Sequence, residues 1–421
     1  MIRVLGYIIE STVYIISRIF NLFPDFSVHF TNPKTKKKSK IPYYQSFVNS
    51  FGYQFEEHKV TSEDGYILTL WRIPSKLNEN SNNKKPVILQ HGLLDDSWTW
   101  FALQDEGCLP FLLADKGFDV WLPNTRGNMF STEHIDKKKN SSNMFNSYWH
   151  FSFDEMAKYD TPAVIKFIQE KTNQEKIDFV GHSQGTTIFM LAFILYPELM
   201  NKSIGHFCTL GMVANLKHAP SPLLRYFCDW DIFNHLSFGN FLNPGIKNGF
   251  YFYFACKKFN TISSKFISSI IQIVPTKRID FKKFLGVMHY EPGGSSYRNI
   301  IHWLQCYKKK DIYMFDFNDE KKNKEVYSQP TPPKYDKSVL KEWKIPMFMV
   351  ISDTDPYSDK KDIFEFCEKI PNQEIIKKFF VTKYNHLDYL WSHDSKNDIF
   401  VHIVKYLAEF DNKDIVRLNH K

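Results

Sequence analysis

The chain has 421 residues, 43% of them hydrophobic and 24% charged, a composition that buries a real core and excludes a disordered or fibrous polypeptide. Its net charge of +8 is dispersed in short runs such as Lys36-Lys37-Lys38, Lys137-Lys138-Lys139 and Lys308-Lys309-Lys310, which read as solvated loops and speak against a nucleic-acid partner. The six cysteines lie far apart, without the close spacing of structural zinc sites and too sparse for a disulfide framework, so neither a metal nor a cofactor is expected.

The opening run VLGYIIESTVYIISRIFNLF is long enough to cross a bilayer as a helix of about 20 residues. Arg3, Glu10, Ser17 and Asn21 fall on one stripe of that helix, with Arg18 and Ser11 on its flank and Ile, Leu, Val and Phe elsewhere. Glu10 interrupts the apolar core that a signal peptide needs, and no small-residue cleavage site follows. Residues 1–31 therefore read as a retained membrane anchor, spanning the bilayer or lying in its interface; packing on the protein's own core is the alternative.

A Lys/Pro linker covers 32–42. Phe47 to Phe55 reads as a short helix, and Glu56 to Pro74 as two strands joined at Glu63-Asp64-Gly65, an Asp-Gly hairpin signal. After a polar loop, short apolar runs recur at Pro86–Gln90, Phe118–Leu122, Ile177–Val180, His206–Val213 and Pro346–Ser352, separated by helix-length segments. This alternation predicts an α/β fold with a mainly parallel central sheet and helices on both faces.

One connection is far too long. Roughly 130 residues separate Ala214 from Pro346, where a crossover needs little more than a dozen. The surplus contains SPLLRYFCDWDIFNHLSFGNFLNPGIKNGFYFYFACKKF, dense in Phe, Tyr and Trp. It reads as a large helical cap or lid, either with a core of its own or roofing a site for long hydrocarbon chains. The resulting organisation is an anchor at 1–31, a first part of the core at 32–214, a lid insertion with its return at 215–345, and the rest of the core at 346–421.

In IDFVGHSQGTTIFMLAF, Ser183 stands between Gly181 and Gly185 where a β-branched run gives way to a helical one. Glycines two before and two after a serine relieve the crowding of a sharp strand-to-helix turn, so Ser183 reads as a nucleophile on an elbow. In an α/β-hydrolase the acid and then the base follow it at the C-terminal ends of later strands. Asp355 follows the apolar run Pro346–Ser352, and His386 follows Lys378–Val381. His386 would take the serine proton, and Asp355 would fix its tautomer. Asp353 is a loop rival to Asp355, and Asp388 reads as a cap or supporting group. Backbone N–H groups of Leu93, in LQHGLL, and of Gln184 are the expected oxyanion donors, with His91 shaping the loop by hydrogen bonding. His218, His235, His289 and His302 read as structural.

The blocks EDGYILTLWRIP, LQHGLLDDS, GFDVWLPNTRGN, FSFDEMAKYDTPAVIKFI, VGHSQGTT and YNHLDYLW resemble the acid lipase family of gastric and lysosomal lipases and fungal steryl ester hydrolases. The resemblance implies the same catalytic set, Ser183, Asp355 and His386, with Leu93 and Gln184 at the oxyanion hole. It also implies that the insertion is a lid and that the substrate is a steryl ester or acylglycerol. NTRGNMFSTEH and NIIHWLQ look closest to the membrane-bound steryl ester hydrolases, and the lid lacks the cysteine pair of secreted members, leaving Cys256 alone.

The expectation is a serine hydrolase of neutral lipid esters acting at a membrane or lipid-droplet surface, without an obligate protein partner. It is placed inside the cell, at the endoplasmic reticulum or a lipid droplet, with a secreted or lysosomal location as the alternative. An acyltransferase using the same acyl-enzyme and a catalytically silent lipid-binding protein are the other readings.

Overall fold

The computed structural model describes residues 41–75, 84–136, 147–221 and 290–409, together with 225, 228, 283, 286 and 287. The anchor expected at 1–31 and most of the aromatic insertion lie outside the described residues.

Strands β3 (Pro86–Gln90), β6 (Ile177–His182), β7 (Ile204–Leu210) and β8 (Met347–Ser352) are buried at every position, as their mainly apolar runs require of strands covered on both faces. They form one nine-stranded sheet with β1 (Glu56–Thr61), β2 (Tyr66–Ile73), β4 (Asp119–Pro123), β5 (Glu133–His134) and β9 (Ile376–Val381). The order is β1-β2-β4-β3-β6-β7-β8-β9, with β5 pairing β2. All neighbours from β4 to β9 are parallel, whereas β1, β2 and β5 join antiparallel.

Among the described residues the longer helices are α1 (Tyr43–Ser50), α2 (Leu109–Asp115), α3 (Thr161–Thr172), α4 (Gln184–Leu195), α5 (Pro197–Ser203), α6 (Tyr297–Lys309), α7 (Glu320–Tyr327), α8 (Lys360–Cys367) and α9 (Val401–Glu409). The two-residue alternation of the strands divides them between the faces of the sheet. Met347, Met349 and Ile351 join the core that holds Val164 and Ile165 of α3 and most of α4. Phe348, on the other face, meets Tyr406 of α9, its ring centroid 5.0 Å away.

Contacts divide the chain into two units, Met1–Gly52 and Tyr53–Lys421. In the first, α1 begins earlier and ends earlier than the sequence pattern suggested, because Gly52 takes φ +80° and breaks the helix before Phe55. In the second, β7 starts two residues ahead of the expected run and stops at Gly211, whose φ of +57° turns the chain away. The two-residue strand β5 has no run long enough to announce it.

Arg126, fully buried, ties three segments together. Its guanidinium donates to both oxygens of Asp160 and both of Asp64, and lies 4.1 Å from the centroid of the Tyr66 ring. The Asp-Gly hairpin, the loop after β4 and the start of α3 are thereby one unit.

Candidate active site

The strand-to-helix turn is as sharp as its glycines imply. Strand β6 ends at His182, α4 begins at Gln184, and Ser183 between them takes φ +53° and ψ −124°. A side chain with φ in that region stores about 1–3 kcal/mol of strain, so the surroundings must hold it. Ser183 N donates to Leu210 O at 3.0 Å, and Thr186 donates to Ser183 O from its backbone at 2.9 Å and its hydroxyl at 2.6 Å. A Cβ on Gly185 would lie 2.5 Å from Gln90 O, and one on Gly181 would lie 3.0 Å from Thr186 N. Only hydrogen fits at Gly185, and at Gly181 a side chain would force the start of α4 to shift by a few tenths of an ångström.

Because β6, β8 and β9 run parallel, their C-terminal ends share one edge of the sheet, where open α/β sheets carry their sites. There the structure brings Ser183, His386 and Asp355 into one hydrogen-bonded chain. His386 Nε2 is 2.6 Å from Ser183 Oγ, and Nδ1 is 2.8 and 3.0 Å from the two oxygens of Asp355. Asp355 is buried and also accepts from the backbone N–H of Tyr357 and Ser358. Burial acts to raise its pKa, but the His386 charge and these hydrogen bonds outweigh it and hold the carboxyl below its usual range.

The rivals fall elsewhere. Asp353 is exposed and accepts from Lys383 N. Asp388 accepts from Asn385 N at 2.8 Å, while its own N–H returns to Asn385 O at 3.0 Å, so it clasps the loop that carries His386.

Leu93 follows β3 on the loop facing the elbow. A Cβ on Gly92 would come within 3.0 Å of Ser183 Cβ, which measures how closely this loop passes the serine. Thr125 N donates to His91 Nε2, so the ring proton sits on Nδ1, which bonds Gly92 O at 2.9 Å. Burial lowers the His91 pKa and keeps the ring neutral. Gln184, first residue of α4, has no acceptor for its N–H within the helix and stands at the positive end of its dipole. A serine–imidazole–carboxylate chain of this kind can attack a carbonyl, and backbone N–H groups beside it could stabilise the oxyanion.

Sequence reasoning passed over two features beside the site. His182, buried, has Nε2 2.9 Å from the carbonyl oxygen of His386; burial, and next the His386 charge, depress its pKa to about 4, so it stays neutral. Its place between Gly181 and Ser183 at the end of a buried strand was the available signal. The second is a set of buried carboxyls, Asp95, Asp96 and Glu291. Glu291 accepts from Gly293 N at 3.0 Å, Asp96 caps Trp98 N at 2.7 Å, and Gly294 N donates to Leu94 O at 3.2 Å. The set thus sits behind the loop that carries Leu93. Burial, then the charge of neighbouring Asp95, raises the pKa of both Asp96 and Glu291. No motif spans residues so far apart in the chain.

His302 bonds Ser152 Oγ and Tyr313 O, consistent with the structural part expected of it. Among the described residues, His218, Asp362 and Glu365 place ligand atoms within 4.8 Å of one another. There the Lys217 ammonium lies 2.7 Å from Glu365 and His218 Nδ1 is 2.8 Å from Asp362.

Family models match over 44–104, as a partial alpha/beta-hydrolase lipase region, and over 85–206, as an alpha/beta hydrolase fold. The gastric triacylglycerol lipase of Rattus norvegicus is 34% identical over 375 residues, covering 86% of this chain and 90% of that protein. A protein of Crotalus adamanteus provisionally named lysosomal acid lipase/cholesteryl ester hydrolase is 34% identical over 386 residues, covering 88% of each. A solved meta-cleavage product hydrolase of Pseudomonas fluorescens, 12% identical with a TM-score of 0.50, covers 84% of this chain and 97% of its own, a likeness of fold alone.

Proposed function

The chain belongs to the lipase branch of the α/β-hydrolase family, and on that premise we propose that it cleaves neutral lipid esters through an acyl-enzyme on Ser183. It is a carboxylic ester hydrolase by kinship; the catalytic roles below are our reading of the geometry. The observation that carries this reading is the 2.6 Å contact between Ser183 Oγ and His386 Nε2, with Asp355 behind the ring.

Ser183 Oγ attacks the ester carbonyl as its proton passes to His386 Nε2, and the carbonyl π pair moves onto oxygen. The oxyanion accepts from the backbone N–H of Leu93 and Gln184. Collapse re-forms the carbonyl and breaks the C–O bond, and the leaving alcohol takes the proton from Nε2. Water then gives its proton to Nε2, attacks the acyl carbon and releases the fatty acid, returning the proton to Ser183. Asp355 keeps Nδ1 protonated and stabilises the imidazolium without taking the proton.

Triacylglycerols are the first substrate class, supported by the names of the gastric triacylglycerol lipases to which the chain is similar. Steryl esters are the second, supported by NTRGNMFSTEH and NIIHWLQ and by the cholesteryl ester name of one relative. We assign the insertion at 215–345 as the lid over this site and a lipid–water surface as the place of action. The relatives' names favour the secreted or lysosomal alternative over an intracellular membrane. No helix among the described residues is long and apolar enough to cross a membrane, and residues 1–31 stand outside them.

The test is Ser183→Ala assayed on triolein, cholesteryl oleate and p-nitrophenyl butyrate. Loss of all three activities in a folded protein supports the reading; retained hydrolysis refutes it. The ratio of the first two rates in the wild type assigns the substrate class.

A further inference from the structure

The side chain of Gln184 is built into the protein in a way its proposed backbone role does not require. It is 2% exposed. Its Oε1 accepts two hydrogen bonds, from Trp303 Nε1 at 2.7 Å and from Asn299 Nδ2 at 3.0 Å. Both lone pairs of that oxygen are used. Its Nε2 points to Met156 Sδ at 3.6 Å, in the π-helical turn Met156–Asp160.

Asn299 and Trp303 are four residues apart on α6, so they share a face of one turn and converge on one atom. Asn299 is held in turn. Its second amide hydrogen goes to Ser295 Oγ at 2.9 Å, its Oδ1 accepts from Phe153 N at 2.9 Å, and its own N–H donates to Ser296 Oγ at 3.0 Å. With every group committed, the asparagine has one rotamer to offer. Trp303 is fixed by packing, 4.8 Å between ring centroids from Phe153.

We propose that Asn299 and Trp303 are positioning residues for the reaction. Through the Gln184 amide they hold the Ser183–Gln184 peptide so that its N–H points at the developing oxyanion. This rests on the reading of Gln184 as oxyanion donor. One side of the elbow is fixed by Ser183 N on Leu210 O, and the Gln184 side chain fixes the other. Because α6 lies within the long connection between β7 and β8, the connection that carries the insertion also sets the alignment of the hole. A donor aimed at the oxyanion gains in the transition state over the ground state, so disturbing its aim lowers kcat and leaves KM nearly unchanged.

The experiment compares Trp303→Phe, Gln184→Met, the double variant and Ser183→Ala on p-nitrophenyl butyrate, with thermal unfolding of each. Trp303→Phe keeps a ring in place and removes one N–H; Gln184→Met keeps length and removes the acceptor. The expected result is a fall in kcat of about tenfold for Trp303→Phe, part of the 10²–10³ that a whole donor is worth, with KM within twofold. The double variant should be no slower than Gln184→Met alone, because both changes break one link. Inactivation by a p-nitrophenyl phosphonate, whose oxygen enters the same hole, should slow in step with kcat. Should Trp303→Phe prove unstable, Asn299→Ser is read by the same criteria. A folded variant with unchanged kcat, or losses that multiply in the double variant, overturns the proposal. Retained activity in Ser183→Ala would instead remove the reading on which it rests.

Discussion

Adding one methyl group to the elbow, Gly185→Ala, tests the geometry of the site most directly. The new Cβ would stand 2.5 Å from Gln90 O and 2.8 Å from His91 O, and both obstacles are backbone. Carbon–oxygen contacts seldom close below about 3.3 Å, so the loop after β3 and the start of α4 must part by about 0.8 Å. Overpacking of this kind costs about 1–3 kcal/mol, which lowers the unfolding temperature by a few degrees. The rate should suffer more. The two backbone strands pushed apart carry the two proposed oxyanion donors, and a misplacement near 1 Å costs about 10²-fold. We expect kcat on p-nitrophenyl butyrate to fall about 30- to 100-fold, with thermal unfolding reporting a folded protein. A variant that kept kcat within threefold of the wild type would show that this approach does not set the hole.

Three further outcomes follow from the geometry. Asp355→Asn leaves the Tyr357 and Ser358 N–H groups an acceptor but removes the carboxylate from His386 Nδ1; kcat should drop by about 10⁴ with little change in thermal unfolding, and a loss under tenfold would point to another acid. Glu291→Gln tests the buried carboxyls. A carboxyl whose folded pKa is raised contributes stability that is complete below its unfolded value and is lost as pH rises through the folded one, so the variant should match the wild type near about pH 4 and unfold at higher temperature near about pH 8.5. A difference that shrank as pH rose would reverse that sign. Arg126→Met leaves Asp64 and Asp160 without their cation, a loss of about 3–5 kcal/mol for a broken buried pair, visible as low soluble yield or a fall in denaturant midpoint without a change in slope.

What the sequence disclosed depended on whether a feature was local. The central parallel strands announced themselves because each is a mostly apolar run, and the elbow did so because Gly181, Ser183 and Gly185 lie within five residues. Asp355 and His386 were legible by placement, since strands whose ends line one edge deliver whatever follows them to the same place. The choice between Asp353 and Asp355 needed burial as well as order. Features joining distant segments stayed hidden: the grip of Asn299 and Trp303 on Gln184 spans more than a hundred residues, as does Asp96 against Glu291. Both are hydrogen-bond geometries among ordinary polar residues, and no periodicity marks them. The short pairing of β5 with β2 and the early end of α1 were set by neighbours and by Gly52, where propensity alone pointed further along the chain.

Among the described residues strand β9 pairs only with β8, and the loop that leaves it bears His386. A growing polypeptide therefore completes its serine, and later its aspartate, well before the imidazole can dock. On the proposed mechanism, the molecule cannot hydrolyse an ester until that strand is in place. Fatty-acid release would thus report that the whole sheet has assembled, and truncations short of β9 should be chemically silent however well their remaining parts are built.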